Sequence, residues 1–490
     1  MLNRWLRQLT RRHGWSTART TLVAALLVSG PVPLPAATAP APGASAESRP
    51  GVAAWLEGDA AQAALDLASR TDREGVLNRA VAQIYAGDAA AAERELAALR
   101  AREPGFTPAL RWLARARAEA ASPALEETLQ ALLADREANS RDFLWIGRLR
   151  LDEGEADRAR ASLREAVTRE EDLYLGWLWL GDAEDALGRP VPARDAWLHA
   201  RDLHAGGDVL IRLGESSLRA GREAEGRRWL EEALATPEGR RREEEVRRLL
   251  PGLVAPPAAR DLAPPLRPGE RLRYSARYLF LHFATVEIEN QGFTELHGHR
   301  AARVVFSIRS NPGFPLLTID SRFESFIAED GSVLAHRSTS RDSTQARRAA
   351  AYDMDPATGQ CVVRQIVEGI FGFDRFPLPP LDQDGVSVLQ LARGLARSPA
   401  RVSVLTAIDS TWKGTELRTV GAERIRCAGR DVETVQVEAV GHYKGPAGLS
   451  GLVRTWISRD ARGVPCKASI KVALGSVVLD LLDDPGEAAH

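Results

Sequence analysis

The spacing of apolar residues changes once along the chain. Over residues 51–250 apolar side chains recur at helical intervals, Ala, Leu, Arg and Glu dominate, and β-branched residues are few. From residue 270 apolar and polar positions alternate instead, as at Leu272, Tyr274 and Ala276, which is the period of a half-buried strand. This change predicts a multidomain α plus β protein with a helical half followed by a sheet-rich half.

The helical half repeats a short pattern. Gly154, Gly188 and Gly221 are 34 and 33 residues apart, and each is followed at fixed offsets by a small residue, a large apolar residue and a small residue that is Ala in all three copies. Small residues let antiparallel helices approach, and large ones such as Trp197 fill the gap between successive hairpins. The pattern resembles the tetratricopeptide repeat, and we expect five or six repeats followed by a charged helix over residues 240–250.

The resemblance to tetratricopeptide repeats implies a protein-binding face, because in that family the first helix of each hairpin lines the concave side. Carried over by position, that face contains ten residues: Arg141, Leu144, Arg148, Asp152, Leu178, Asp182, Asp185, Asp208, Glu215 and Arg219. Their charges are mixed, so no clamp for the acidic end of a peptide is evident. The alternative is the solvated face of a structural spacer.

A Pro-rich connector at residues 251–268 separates the halves, and we expect each half to fold independently. About a dozen strand patterns over residues 269–484 predict a large antiparallel sheet or open barrel. One helix interrupts them at residues 386–396, with Ser387 as its expected N-cap. Residues 485–490 are predicted to be a disordered tail.

Several short motifs of the second half follow one another in the order of a known family. They lie at residues 269–274, 320–326, 384–393, 456–460, 464–465 and 475–476. In order and spacing they resemble the bacterial envelope family called domain of unknown function 3108. The family tends to have a Gly-containing turn after its first strand, where this chain has Phe280-Leu281-His282-Phe283-Ala284. The resemblance implies an exported module that holds a lipid or glycan, and it brings no catalytic residue.

The N-terminus predicts export. Residues 1–39 combine arginines without acids, an apolar run at residues 21–28 and a small-x-small triplet ending at Ala39. A second triplet ends at Ala46, so cleavage after either residue fits the pattern. A permanent membrane anchor is the alternative, but the apolar run is too short to span a bilayer. We therefore expect a periplasmic protein of a Gram-negative bacterium, with a disordered linker over residues 40–50 and no transmembrane segment after signal removal.

Composition narrows the classes further. The net charge is −1, which does not favour nucleic acid as a partner. The three cysteines, Cys361, Cys427 and Cys466, allow one disulfide at most, and the pairing stays open. The alternative is that all three are small buried thiols.

Candidate catalytic and metal-binding residues do not form a convincing set. His297 and His299, with Glu295 beside them, provide too few converging ligands for a zinc site. Asp353 and Asp355 imitate the carboxylate pair of a glycosidase, but no partner strand is apparent. We therefore predict no metal, no cofactor and no enzyme activity.

Residues 369–380 form a Phe-rich and Pro-rich segment, which we interpret as a loop. Phe371, Phe373 and Phe376 alternate with small and polar residues. They form either a hydrophobic lip that contacts a ligand, membrane or partner, or a plug over the sheet. Because buried aromatic residues are the rule, we expect at least two of the three to be plug residues.

Together these features favour a non-catalytic periplasmic envelope protein. Its solenoid would recruit a protein partner, and its β domain would bind an apolar or glycan-containing envelope component. One alternative is a hydrolase acting on an envelope polymer, and another is a structural assembly factor without ligand. Ligand, partner and oligomeric state stay open at this stage.

Overall fold

The computed structural model describes most of the chain. The described residues are 50–236, 239, 242–253, 266–311, 319–329, 331–341, 347–355, 359–377, 382–398, 401–408, 411–441, 451–471 and 475–483. The predicted signal, nearly all of the linker that follows it, the middle of the Pro-rich connector and the predicted tail therefore lie outside the described residues.

The first half is a stack of helix pairs. Its helices are α1 Val52–Glu57, α2 Ala60–Asp66, α3 Arg73–Tyr85, α4 Ala89–Arg102, α5 Thr107–Glu119, α6 Leu125–Leu133, α7 Ser140–Asp152, α8 Ala156–Arg169, α9 Tyr174–Ala186, α10 Pro190–Leu203, α11 Gly207–Arg219, α12 Glu223–Ala235 and α13 Glu243–Leu249. Consecutive helices pack as antiparallel hairpins, and each hairpin packs on the next. The prediction of a tetratricopeptide-like solenoid is confirmed.

The glycines of the repeat have two distinct roles. Gly154, Gly188 and Gly221 have φ values of 78, 70 and 72°, so they provide the left-handed turn between the two helices of a hairpin. Gly181 instead allows close packing, because a Cβ there would lie 2.3 Å from the indole of Trp197. Trp197 is buried against it, so the small and large positions of the repeat fit together as the sequence predicts.

The second half is one sheet. Its strands are β1 Arg271–Tyr278, β2 Leu281–Leu296, β3 His299–Ser310, β4 Asp320–Ala328, β5 Val333–Arg341, β6 Arg347–Asp355, β7 Gln360–Val367, β8 Ile370–Pro377, β9 Asp382–Gln383, β10 Arg401–Ile408, β11 Thr411–Cys427, β12 Arg430–Gly441, β13 Leu452–Ser458, β14 Pro465–Lys471 and β15 Ser476–Asp483. The spatial order is β8-β7-β6-β5-β4-β3-β2-β1-β15-β14-β13-β12-β11-β10-β9. All neighbours are antiparallel except β9 and β10, which are parallel. The predicted antiparallel sheet with one helix is confirmed.

One helix fills the curve of this sheet. Helix α14, Gly385–Arg397, contacts β3 and β4 on one side and β10 to β13 on the other. Its N-cap is Asp384, whose carboxylate accepts hydrogen bonds from the backbone of Val386 and Ser387. Ser387 was predicted as the N-cap, but it is the third helical residue, and its hydroxyl oxygen accepts a hydrogen bond from the Asp384 backbone N–H, which completes a capping box.

The Phe-rich segment is a strand and not the loop that we predicted. Residues 370–377 form β8, which pairs with β7 along its whole length. The prediction failed because the flanking prolines and glycines suggested a loop, whereas the alternation of Phe371 and Phe373 with small and polar residues has the period of a strand.

The cysteines divide into a pair and a buried thiol. Cys427 and Cys466 form a disulfide that joins the end of β11 to the start of β14. Cys361 is free and buried. The alternative with one disulfide and one leftover thiol is therefore correct, and the alternative with three buried thiols is wrong.

The solenoid and the sheet share hydrophobic cores. Trp55 stacks on Phe371 with ring centroids 5.1 Å apart, and Phe373 lies against Tyr85 and Trp112. At the opposite edge of the sheet, helix α9 contacts β11, and the ring of His204, just after α10, hydrogen-bonds Ser403 on β10. The solenoid thus contacts both edges of the open sheet, and the halves are not packed as separate bodies.

Candidate functional site

A cleft lies between the solenoid and the edge strand β8. Its volume is about 350 Å³. Its lining comes from the first helices of four hairpins, the segment before α9, and β8: Ile84, Arg115, Ala118, Glu119, Arg141, Leu144, Trp145, Arg148, Leu149, Leu173, Leu175, Trp179, Phe373, Asp374, Arg375 and Phe376. Two regions that the sequence predicted separately, the solenoid face and the Phe segment, therefore form opposite walls of one site.

The solenoid wall is built from a repeating Trp and Arg pair. Arg115 on α5 lies over the ring of Trp145 on α7 at 5.1 Å, and Arg148 on α7 lies over the ring of Trp179 on α9 at 5.2 Å. Each guanidinium thus stacks on the tryptophan of the next hairpin, an arrangement that is attractive through the ring quadrupole. The repeat period places a flat apolar surface with a cation beside it in successive hairpins.

Arg115 connects the two walls. Its guanidinium is 2.7 Å from the Asp374 carboxylate and donates to the Phe373 carbonyl at 2.9 Å. It also lies over the ring of Trp112 at 4.9 Å, in addition to that of Trp145. Its Nε is buried and has no hydrogen-bond partner among the described residues.

The β8 wall combines buried and accessible side chains. Phe373 is buried against the helices, whereas Phe376 is only partly covered and faces the cleft. Arg375 pairs with Glu119 of α5 at 3.2 Å. The two carboxylates of the lining, Glu119 and Asp374, are therefore both held by arginines, and the four guanidinium groups leave the lining with a positive balance.

A single side chain of the solenoid hydrogen-bonds two backbone groups at the β8 edge next to the cleft, so that they are not open to another strand. The buried amide of Asn78 on α3 donates to the Gly369 carbonyl at 2.7 Å and accepts from the Phe371 N–H at 2.9 Å. These are the two bonds that a neighbouring strand would make. The solenoid thereby satisfies an edge that would otherwise be open to strand addition.

The predicted solenoid residues separate into two groups. Arg141, Leu144 and Arg148 line the cleft, and Asp152 pairs with Arg148 at 2.8 Å. The others lie on later hairpins and do not line the cleft: Leu178, Asp182, Asp185, Asp208, Glu215 and Arg219. Of these, Leu178 is buried and Glu215 is exposed.

Most of the second group connects one hairpin to the next. Asp182 pairs with Arg212 at 2.6 Å, Asp185 pairs with Arg219 at 2.8 Å, and Asp208 pairs with Arg242. These charges therefore serve the stack itself, because opposite charges one repeat apart face each other across neighbouring helices. Position alone could not distinguish such pairs from a binding surface.

The Phe residues also separate. Phe371 and Phe373 are buried between sheet and solenoid, with exposed fractions of 1% and 4%, so they do not form a free lip. Phe376 is the member that reaches the cleft. The reason is the position of the solenoid over β8, which the sequence did not indicate.

The carboxylate candidate Asp353 is engaged in other contacts, and the histidine candidates lie at the hairpin between β2 and β3. Asp353 is held between Arg337 and Arg364, and Arg364 also donates to the Leu56 carbonyl of α1 at 3.1 Å. His297 lies in the tight turn between β2 and β3. In the described part of the chain no group of three His, Cys, Asp or Glu side chains is placed to hold a metal ion.

A buried Ser, His and Asp cluster was not anticipated. Ser325 donates to Asp384 at 2.6 Å, and the His336 Nδ1 lies 3.1 Å from the same carboxylate oxygen. In a hydrolytic triad the imidazole bridges serine and aspartate through different nitrogens. Here the serine reaches the aspartate directly, and the group of Ser325, His336 and Asp384 anchors the start of α14 to β4 and β5.

Sequence reasoning missed a periodic row of tryptophans, two of which, Trp145 and Trp179, line the cleft. Trp112, Trp145 and Trp179 are 33 and 34 residues apart, and a charged residue follows each by three positions. This period equals that of the glycines, so the signal was present. It was missed because the repeat was read from the glycines and from residues at fixed offsets from them, and these tryptophans are not at those offsets.

Comparison with known proteins identifies a family that the second half of the chain matches. Residues 273–482 match a family described as Protein of unknown function (DUF3108), which confirms the resemblance of the second half. No curated protein matches the chain. Among the described residues, no helix is long and apolar enough to cross a membrane.

Solved structures similar to this chain include MamA and a TPR repeat-containing protein. A crystal structure of MamA is 17% identical, covers 33% of this chain and 95% of its own, and has a TM-score of 0.30. The C-terminal part of a TPR repeat-containing protein from Cytophaga hutchinsonii is 12% identical, covers 41% of this chain and 84% of its own, and has a TM-score of 0.35. The structure of MamA from residue 41 to the end, from Desulfovibrio magneticus RS-1, is 16% identical, covers 38% of this chain and 100% of its own, and has a TM-score of 0.31.

Proposed function

We propose that this chain is an exported, non-catalytic adaptor of the Gram-negative periplasm, and that the cleft binds a short segment of a partner protein. The cleft composition is the observation that carries the proposal. Leu149, Leu173, Leu175 and Phe376 provide an apolar floor, and arginines stacked on tryptophans border it. Pockets of this kind, mostly apolar with a few placed polar groups, are typical binding sites.

The charges of the cleft indicate the chemistry of the partner segment that would bind there. Arg148 and Arg115 lie on one wall and Arg375 on the other, so an acidic group would be attracted between them. The large side chain next to that group would rest on the apolar floor. We therefore propose an extended peptide with a Leu, Phe or similar side chain beside a carboxylate. A volume of about 350 Å³ suits such a segment better than a whole helix, which is about 10 Å wide.

The carboxylates of the cleft support binding over catalysis. Glu119 and Asp374 each form an ion pair with an arginine. A general acid must lie within hydrogen-bond reach of a substrate, and each of these carboxylates is already held by an arginine of the protein. The hydrolase alternative therefore has no candidate acid in the cleft.

Photo-crosslinking tests the partner directly. A benzoylphenylalanine placed at Phe376 in the producing bacterium should form an adduct with a protein, whereas the same group at Leu65, an exposed position on α2, should not. An adduct with lipid alone would favour the apolar-ligand form of the hypothesis and contradict a peptide. No adduct from Phe376 would favour the structural assembly factor.

A charge reversal tests the role of the arginines. Arg148→Glu should weaken binding of the captured partner by about tenfold or more, since an attraction in the cleft becomes a repulsion. Arg227→Glu on α12 is the matched control, because it makes the same charge change at an exposed position outside the cleft. Equal loss in both variants would show that the cleft is not the binding site.

The location has its own test. Cell fractionation followed by N-terminal sequencing should find the chain in the periplasm, starting at residue 40 or residue 47. A cytoplasmic chain that retains Met1 would contradict export.

A further inference from the structure

The tip of the β1–β2 hairpin exposes consecutive large apolar side chains. Leu279, Phe280 and Leu281 are 61%, 79% and 43% exposed, and Phe280 is the most exposed large hydrophobic residue in the described part of the chain. Single exposed apolar side chains are common on protein surfaces. Three in a row on a protruding turn form a patch, which calls for a different explanation.

The stereochemistry of the turn does not explain these residues. Tyr278 pairs with Leu281, so Leu279 and Phe280 form a two-residue turn, and Leu279 has a φ of 53°. Glycine is the residue that suits this left-handed conformation. In the other two-residue hairpin turns described the first residue is also a non-glycine at positive φ, but glycine follows it and no large apolar side chain is present: His297-Gly298, Glu368-Gly369 and Ala428-Gly429.

The polar groups behind the tip are satisfied within the hairpin and its neighbour. Arg277 donates to the Leu279 carbonyl at 3.0 Å and pairs with Asp480 at 3.1 Å. His282 hydrogen-bonds Ser275 at 2.7 Å. The end of the hairpin therefore presents apolar surface, and the charged groups lie behind it.

We propose that this tip inserts into the interfacial region of a lipid bilayer. Its three side chains expose on the order of 300–400 Å² in all, judged from the area of a whole aromatic side chain. A stable protein interface buries about 800 Å² on each partner, so the tip is too small to support one alone. Insertion asks only that apolar side chains reach the boundary between headgroups and acyl chains, about 5–10 Å deep.

The surrounding charges indicate how the bilayer is recognised. Arg309 and Lys471 are exposed at the same end of the sheet. Asp320 faces Arg309 across β3 and β4, and Asp480 holds Arg277. Because the charges are mixed, insertion rests on the apolar side chains, and binding should change little with salt. This site is separate from the cleft, so the proposal of insertion does not depend on the proposed partner protein.

Vesicle binding tests the insertion. The probe is a vesicle of phosphatidylethanolamine and phosphatidylglycerol, and the chain starts at residue 47, so that every described residue is kept and the apolar run at residues 21–28 is absent. The double variant Leu279→Gly, Phe280→Asn should lower the partition coefficient by about tenfold or more. It should melt no lower than the wild type, because Gly-Asn suits the turn.

Two further measurements complete the test. Val420→Ser is the control, since Val420 is 51% exposed but lies on β11 and not at the tip. A fluorophore on Phe280→Cys should shift to the blue on vesicles, whereas one on Val420→Cys should not. Unchanged vesicle binding by the double variant overturns the proposal. The proposal is also overturned if the wild-type chain does not bind vesicles and binds an envelope protein through the tip instead.

Discussion

Asn78 shows how one buried side chain can replace a strand. Its amide has a donor and an acceptor at the spacing that β8 presents, so it closes two bonds of an edge that faces the solenoid. Backbone groups buried without partners are costly, which is why sheets rarely leave them unpaired. The residue therefore matters more for the sheet than for its own helix.

Replacing Asn78 should destabilise the whole chain. We expect Asn78→Leu to lower the free energy of unfolding by roughly 2–4 kcal/mol, because the Gly369 carbonyl and the Phe371 N–H are then buried without partners. Gln130→Leu is the matched control, since the Gln130 amide bonds Glu126 on an exposed surface. Chemical denaturation of both variants gives the comparison, and equal midpoints would contradict this role.

The Asp384 carboxyl predicts a sensitivity to acid. Burial raises its pKa, but the charge of His336 and the hydrogen bonds from His336, Ser325 and the backbone outweigh burial, so its pKa lies below the usual value of 3.8. A lowered pKa contributes stability that is complete above about pH 4 and is lost as the pH falls through the folded-state pKa.

The matching experiment uses Asp384→Asn. We expect this variant to be less stable than the wild type by about 1–3 kcal/mol at pH 7, because the buried charge interactions are lost. The difference should shrink below about pH 4, where the carboxyl of the unfolded wild type takes up a proton, and further as the pH falls through the folded-state pKa. Denaturation midpoints between pH 7 and pH 3 measure it, and a constant difference would contradict the assignment of the pKa to Asp384.

At the scale of elements, the solenoid depends on large side chains between hairpins. Trp197→Ala should cost roughly 3–5 kcal/mol, because the indole fills the space left by Gly181 and would leave a cavity. Arg219→Ala should cost under about 1 kcal/mol, because its pair with Asp185 is half exposed to solvent. Thermal melting distinguishes the two, and equal shifts would show that the packing register is wrong.

The elements were predictable where their pattern is local. The helical hairpins follow from small and large residues at a fixed period, and most strands follow from alternation. Strand β8 was missed because Gly369, Gly372 and the prolines after Phe376 outweighed a short alternating run. Ser387 was taken for the N-cap because the choice between it and Asp384 depends on backbone geometry.

The candidate site was only half predictable, since it depends on contacts between distant parts of the chain. Arg141, Leu144 and Arg148 could be placed by the repeat. Their opposite wall, from Phe373 to Phe376, lies more than 200 residues later, and no local pattern links it to the solenoid. The same holds for Asp182, because its partner Arg212 lies one repeat further along.

At the scale of the whole molecule, the two halves should be mutually dependent for stability. The sheet half alone would expose Phe371, Phe373 and the β8 edge, which the solenoid covers. We therefore replace the expectation of independent folding with a prediction of association. Residues 47–253 should fold alone, whereas residues 266–490 should be poorly soluble until the first fragment is added.

Circular dichroism and sedimentation of the two fragments check this prediction. The mixture should contain a complex, and Phe373→Ser in the second fragment should weaken it, because a ring packed against Tyr85 and Trp112 is lost. Val367→Ser, at an exposed position near the same edge, is the control. A second fragment that folds and stays soluble without the solenoid would contradict the prediction.

The Asn78 contact also has a consequence for the order of folding. The hairpins of the solenoid contain mostly local contacts, which form quickly. The pairing of β1 with β15 joins residues about 200 positions apart and is therefore expected to form more slowly. The solenoid is also the part synthesised first. It can therefore be ready before β8 forms, and its Asn78 and Trp55 can serve as the template on which the late sheet is completed. Damage to that template should slow refolding at the closing step, even in variants that lose little equilibrium stability.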